Sequence, residues 1–392
     1  MTRLRPRFFA LCLFTTFGTL SVQAAPKITP IPIGTQAPEF ELPGVDGKNH
    51  SLADYASAEV LAILFTCNHC PSAQAVEKRV IDLVEAYREK SFQLVAISPN
   101  SPAAIRINEL GYSVYGDTLE DMKHHAKQRH FNFPYLYDGD DQKITPAYGA
   151  LATPHIFIFD KDRNLQYAGR VDDSRYADES LIKSHDAKKA IDALLAGNPV
   201  PVATTRPHGC TTKWAYKSDL VEKFNREFEA KTVSVETIGP EGVSKLAENK
   251  TDKLRLINLW STMCGPCVAE MPELVEIGRQ FETRGFDMIT ITLDDEGRLP
   301  KVQKMLQRFH AAMPRLTEAS VEEEGRSTNN YLFTGSTDEL AESLDEQWPG
   351  PLPYTVLIAP GGEIIFRHEG EIDSAGLKTR IVDHLGRFYE PK

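Results

Sequence analysis

Two Cys-x-x-Cys motifs, Cys67-Asn68-His69-Cys70 and Cys264-Gly265-Pro266-Cys267, constrain this chain more than any other feature. Each follows a short, largely apolar run of strand character, Val60-Leu61-Ala62-Ile63-Leu64-Phe65 and Leu254-Arg255-Leu256-Ile257-Asn258-Leu259-Trp260. Each also opens a stretch with apolar residues at helical spacing: Val76, Val80, Ile81 and Val84 in the first, and Leu274, Ile277 and Phe281 in the second. Pro272 predicts a kink near the start of the second helix. A strand, a Cys-x-x-Cys turn and a helix in succession place the first Cys at a helix N-terminus, where unpaired N–H groups and the helix dipole favour a thiolate. The second Cys, about one turn on, is then positioned to attack the mixed disulfide formed by the first. On this reading Cys67 and Cys264 attack, and Cys70 and Cys267 resolve.

Other uses of paired cysteines fit less well. A zinc ribbon separates its pairs by about 15–20 residues, whereas 193 residues lie between Cys70 and Cys264. Covalent haem attachment needs a His directly after the second Cys, and here Pro71 and Val268 follow. A purely structural disulfide across so short a loop constrains the unfolded chain little. No metal, flavin or nicotinamide motif is evident, so no cofactor is expected and electrons must come from another protein.

The N-terminus predicts export. Arg3, Arg5 and Arg7 form a basic start, Phe8 to Leu20 is mostly apolar, and Val22-Gln23-Ala24 offers a small-residue cleavage site, so residues 1–24 read as a signal peptide cut after Ala24. The expected location is periplasmic or otherwise exported, with membrane contact only if the signal stays uncleaved as an anchor. Cleavage removes Cys12 and three of the 44 basic residues, leaving 41 against 55 acidic ones and a formal charge of −14. No basic face is supplied for phosphate, so nucleic acid is not an expected partner.

The remaining 368 residues suit two domains. Gly197-Asn198-Pro199-Val200-Pro201-Val202, continuing to Pro207, disfavours helix and predicts an extended linker over 198–216, between domains at 25–197 and 217–392. Cys210 lies in that linker as an unpaired thiol. From Arg315 to Trp348 the chain is longer than a simple strand connection, which predicts an inserted helix around Asp338–Glu346. The acidic runs Asp294-Asp295-Glu296 and Glu322-Glu323-Glu324 read as solvated loops or faces.

Downstream of each motif stands an X-Pro followed by a strand-like run, Thr153-Pro154 before His155-Ile156-Phe157-Ile158-Phe159 and Leu352-Pro353 before Tyr354-Thr355-Val356-Leu357-Ile358. With these residues in view, the second half, roughly Ser218 to Phe388, resembles TlpA/ResA-type thiol-disulfide oxidoreductases. The resemblance runs through Asn258-Leu259-Trp260-Ser261-Thr262-Met263-Cys264-Gly265-Pro266-Cys267 and the hairpin Ala359-Pro360-Gly361-Gly362-Glu363-Ile364. The first half, roughly Ile33 to Ala196, resembles a thioredoxin-like domain of the AhpC/TSA class through Phe65-Thr66-Cys67-Asn68-His69-Cys70-Pro71, Ala96-Ile97-Ser98-Pro99-Asn100 and Thr153-Pro154. These resemblances imply an α/β fold of two thioredoxin-like domains, each a central mixed β-sheet flanked by helices. They also imply that Pro154 and Pro353 are cis and that Thr153 and Leu352 pair with substrate backbone; an ordinary trans-proline opening an edge strand is the alternative.

Further roles come from the same resemblance. Glu270 matches an acid that tunes the cysteines, although an acid in the first helical turn also suits the dipole. His69 resembles the central histidine of the oxidising Cys-Pro-His-Cys motif and implies that the first pair is the more oxidising. Gly209-Cys210-Thr211-Thr212-Lys213-Trp214 resembles a tail found on such domains, which makes Cys210 either a relay thiol or a buried structural Cys. True peroxiredoxins carry Pro seven and Thr or Ser three residues before the peroxidatic Cys, where Cys67 has Val60 and Leu64, so the class name alone does not bring peroxide reduction. The expected function is exported thiol-disulfide exchange with protein thiols and disulfides, supplied by an upstream redox protein. A thiol peroxidase and a redox-inert adaptor are the alternatives.

Overall fold

The computed structural model describes residues 28–391; the export segment expected over 1–24 lies outside them. The first domain begins with a hairpin of β1 (Glu41–Pro43) and β2 (Asn49–Ser51). It continues through β3 (Val60–Phe65), α1 (Pro71–Ala86), β4 (Phe92–Ser98), α2 (Leu119–Arg129), β5 (Tyr135–Tyr137) and α3 (Ile144–Tyr148). Then come β6 (Ala152–Thr153), β7 (His155–Phe159), β8 (Leu165–Gly169) and α4 (Asp186–Leu195). The sheet order is β5-β4-β3-β7-β8, parallel on one side of β3 and antiparallel on the other. Every residue of β3 is buried because helices cover both faces, which accounts for its unbroken apolar run. Val60, Ala62 and Leu64 meet Val76 and Val80 of α1, with Ile81 and Val84 at the margin, while Leu61, Ile63 and Phe65 feed a second core around Tyr148 and Phe157.

The second domain follows β9 (Cys210–Thr211) and comprises α5 (Ser218–Glu229), β10 (Glu236–Ile238), α6 (Pro240–Glu248), β11 (Leu254–Trp260), α7 (Gly265–Phe281) and β12 (Phe286–Thr292). Next come α8 (Leu299–Arg308), α9 (Arg315–Glu323), β13 (Asn330–Phe333), α10 (Thr337–Leu344), β14 (Tyr354–Ile358), β15 (Ile364–Glu369) and α11 (Ser374–Leu385). Its sheet order is β10-β13-β12-β11-β14-β15. Both sheets are mixed and helix-flanked, so the expected fold class holds twice over. Leu274, Ile277 and Phe281 are fully buried, and α7 runs on through Pro272. The expected helix near 338–346 is α10, started by a capping box in which Ser336 accepts from the Glu339 N–H and Glu339 accepts from the Ser336 N–H. The stretch around it is more than an insertion, because β13 pairs in parallel with both β12 and β10 and completes the sheet. Between β14 and β15 the chain reverses through Gly361 and Gly362, at φ 89° and 90°, a region that disfavours side-chain-bearing residues.

Residues 198–214 are extended, as their prolines require, and 215–217 form a single 3-10 turn, but the segment is not a free tether. Thr205 N–H donates to Ala168 O at 3.1 Å, and the Thr205 hydroxyl lies 2.6 Å from the Tyr167 hydroxyl. Beyond Cys210 the strap is tied again: Lys213 N–H donates to Asn100 Oδ1 at 2.9 Å, and Lys213 O accepts from Ser101 N–H and Gln142 Nε2. The domains also meet directly. Gln280 of α7 donates to Leu110 O and Ser113 O, Val114 enters the second domain's core, and Arg284 donates to Gly111 O at 2.8 Å with its guanidinium 3.4 Å from the Tyr112 ring centre.

Arg284 also donates to Leu385 O and Gly386 O, so its removal leaves three carbonyls without this donor. Arg284→Ala is expected to lower stability by about 1–3 kcal/mol, read as a lower denaturant midpoint. An unchanged midpoint would show that this junction contributes nothing.

Candidate functional site

The two motifs fold differently at their helix starts, and the prolines account for it. In the second, Gly265 and Pro266 occupy the first turn of α7 and Cys264 is the N-cap, its sulfur accepting from the Cys267 N–H at 3.3 Å. In the first, the proline comes one residue after the motif. Pro71 opens α1, so Cys70 and not Cys67 is the N-cap. The expectation that the leading Cys67 stands at the helix N-terminus is therefore corrected: the residue placed there is Cys70.

Electrostatics agree with this placement. Cys67 and Cys70 are free thiols, 1% and 0% exposed, so neither is reached from outside without movement. Burial pushes Cys70 up, but hydrogen bonds from Cys210 and Cys67 and the charge of His69 outweigh it, and its pKa falls well below the ordinary thiol value. Cys67 moves the opposite way, raised by burial, by its bond to Cys70 and by the Asp117 charge. Its sulfur lies 3.1 Å from Thr153 Oγ1, while the Cys70 sulfur lies 3.2 Å from Thr153 O. The Thr153–Pro154 peptide is cis, as is Leu352–Pro353.

His69 owes its state to a residue that the motif does not contain. Its Nδ1 is 2.7 Å from Asp117 Oδ2, and both side chains are buried. Burial lowers the His69 pKa, but the Asp117 charge and hydrogen bond more than offset this and leave it raised. Asp117 also accepts from Asn68 N–H at 2.9 Å, His69 N–H at 3.3 Å and Asn100 Nδ2 at 2.7 Å. Cys67, His69 and Asp117 stand close enough together to suggest three metal ligands. The Asp117 oxygens already serve four donors, and a cation there would displace them.

The third thiol is not remote. Cys210 joins Cys67 and Cys70 in one cluster, and its N–H donates to the Cys70 sulfur at 3.4 Å. Its pKa is raised, first by its bond to Cys70 and then by burial. Tyr389, from the far end of the chain, meets Tyr112 edge-on, with ring centres 5.2 Å apart. Its hydroxyl is pushed up to about 12 by burial and by the Cys210 and Cys70 charges.

At the second motif Cys264 and Cys267 form a disulfide, with Cys267 buried and Cys264 partly exposed. Leu352, beside the cis-proline, packs on the cluster that holds both cysteines. Gly265 and Pro266 are exposed, and Met263 is 67% exposed, so this motif faces solvent where the first does not. Glu270 is buried and accepts from Asn258 Nδ2 at 2.9 Å and Ile372 N–H at 2.8 Å. Burial raises its pKa above the ordinary 4.5, against the lowering effect of those two bonds.

Two expectations follow. Asp117→Asn removes the charge that raises the His69 pKa, so the Cys70 thiolate has a less positive neighbour; a thiolate absorbance titration is expected to show a raised pKa. The first pair's disulfide becomes less oxidising, by about 30 mV for each ~1.4 kcal/mol of lost thiolate stabilisation. For Glu270, a folded pKa above the unfolded one means a contribution to stability present below pH 4.5 and lost as pH rises through the folded value. Denaturation across that window is expected to show the loss in the native chain and not in Glu270→Gln. Glu270→Ala is expected to cost about 1–3 kcal/mol by stranding two buried donors.

Comparison with known proteins matches residues 33–168 to the AhpC/TSA family and residues 196–381 to Redoxin. Among curated proteins, the thiol-disulfide oxidoreductase ResA of Oceanobacillus iheyensis is 23% identical over 144 residues, 37% of this chain and 57% of that protein. A putative peroxiredoxin of Mycobacterium tuberculosis is 29% identical over 133 residues, 33% of this chain and 72% of that one. The chain thus spans less than two thirds of the ResA protein it matches. An uncharacterized conserved protein of Geobacillus kaustophilus with a crystal structure is 38% identical, covering 47% of this chain and 92% of that one at a TM-score of 0.42.

Proposed function

From a chain that consists of an AhpC/TSA-family domain followed by a Redoxin domain, each with a thioredoxin-like fold and a Cys-x-x-Cys pair, we propose an exported thiol-disulfide oxidoreductase whose second pair exchanges disulfides with other proteins. The observation that carries this reading is the exposure contrast within the second motif. Cys264 sits at the N-cap of α7 and reaches solvent, in one cluster with Leu352 of the cis peptide, while its partner Cys267 is buried. Such a pair suits attack by the outer sulfur and resolution by the inner one.

In the reducing direction the Cys264 thiolate attacks a sulfur of the substrate disulfide and expels one substrate thiolate, which takes up a proton. The Cys267 thiolate then attacks the Cys264 sulfur and releases the second substrate thiol. Two electrons leave the pair, which ends as the disulfide. Glu270, one turn beyond Cys267, contributes a carboxyl of raised pKa at that buried end. An upstream redox protein returns the two electrons. Export rests on the basic and apolar N-terminal segment, and the mass of the secreted chain tests cleavage after Ala24.

Reduction of a model protein disulfide by the full chain is expected to fall to background in Cys264→Ser, and Cys267→Ser is expected to trap the substrate as a mixed disulfide on Cys264. Full activity in Cys264→Ser would remove the second pair from the reaction.

A further inference from the structure

The first site carries an extended segment of its own chain across its cis-proline strand. β9 pairs antiparallel with β6, setting Cys210 opposite Thr153 and Thr211 opposite Ala152. Thr212 N–H continues the pairing to Leu151 O, and the Thr212 hydroxyl donates to Ala150 O. The approach is close enough to exclude a side chain at the preceding residue: a Cβ on Gly209 would lie 1.9 Å from Thr153 O, and Gly209 has φ 150°. A short strand beside a reactive sulfur is an edge to which an extended peptide can add. In the second domain, by contrast, no strand among the described residues pairs with Leu352.

The geometry points to Cys210 as the built-in disulfide partner of Cys70: the strap seats it where an external peptide would lie, so the first site closes as Cys70–Cys210 or as Cys67–Cys70, with Cys70 common to both. This rests on the redox reading of the cysteines given above. The exchange is an isomerisation. The Cys210 thiolate attacks the Cys70 sulfur of the Cys67–Cys70 disulfide, the Cys67–Cys70 bond breaks as the Cys70–Cys210 bond forms, and the proton lost by Cys210 ends on Cys67. No electrons enter or leave. The relay expected of Cys210 therefore begins at Cys70; Cys264 and Cys267 belong to a different cluster.

The test uses the full chain and oxidised glutathione, followed by alkylation and mapping of disulfide-linked peptides. In Cys67→Ser, the Cys70 thiolate takes one glutathione and releases the other. Cys210 then expels the bound one, so a Cys70–Cys210 peptide is expected with loss of Cys210 alkylation. In the native chain poised part-way, both Cys67–Cys70 and Cys70–Cys210 peptides are expected, a result that needs no variant to fold. In the Cys67→Ser background, Gly209→Val lifts the strap and is expected to leave glutathione on Cys70. A Cys67→Ser chain with glutathione held on Cys70 and Cys210 still free, or a native chain yielding only Cys67–Cys70 at every poise, overturns the proposal. The Cys264–Cys267 peptide in the same digest reports folding, and protein-disulfide reduction measured alongside tests the second pair separately.

Discussion

The first site depends on one buried carboxylate. An ionised group removed from water is tolerated only when its lone pairs are satisfied, and Asp117 meets that condition with four donors drawn from two parts of the domain. Asn68 N–H and His69 N–H fix the motif's backbone, and His69 Nδ1 fixes its imidazole. Asn100 passes the constraint on, because the amide that donates to Asp117 also accepts from the Lys213 N–H of the strap. The position of Cys210 against Cys70 and the charge on His69 thus share a single anchor.

The two motifs show how a two-residue shift of proline relative to the leading Cys moves the helix N-cap without changing the fold. Pro266 lies within its motif and Pro71 directly after its own, so the first turn of the helix starts three residues later relative to the leading Cys. The helix N-terminus therefore favours the leading sulfur in one domain and the trailing sulfur in the other. Exposure follows the same division. Every residue from Cys67 to Cys70 is buried, whereas Gly265 and Pro266 are open to solvent.

Much of this was legible in the sequence, for identifiable reasons. β3 and α7 announce themselves by local pattern, an unbroken apolar run and a three-four spacing, and the cis peptides fall where the family resemblances implied. Pro71 was also in view, and its preference for the first helical turn was signal enough to move the N-cap to Cys70. Asp117 was not legible: it stands in an irregular stretch and meets His69 across 48 residues. β13 escaped because four residues leave too little pattern to separate a strand from a loop. The strap's prolines foretold its extended conformation but not its attachment, since what orders it is a set of contacts with Ala168, Thr153, Asn100 and Gln142, all distant in sequence.

Charge explains why a buried site of this kind should hold a disulfide between shared partners. With all thiols reduced, Asp117 and a Cys70 thiolate are two negative groups beside His69, with the Lys213 charge also acting on the site, in a setting that penalises each unpaired charge. Forming a disulfide at Cys70 removes the excess charge and leaves the Asp117–His69 pair matched. Both available disulfides achieve this, so charge does not choose between them. What distinguishes them is the thiol left over: Cys67, fully enclosed and 3.1 Å from the Thr153 hydroxyl, or Cys210, half-buried on a strap that touches the first domain on one side and leads into α5 of the second on the other. The balance between the two disulfides is therefore a balance between an inner thiol and one seated on the segment that joins the domains, which makes the seating of that segment the variable to which the first site's chemistry responds.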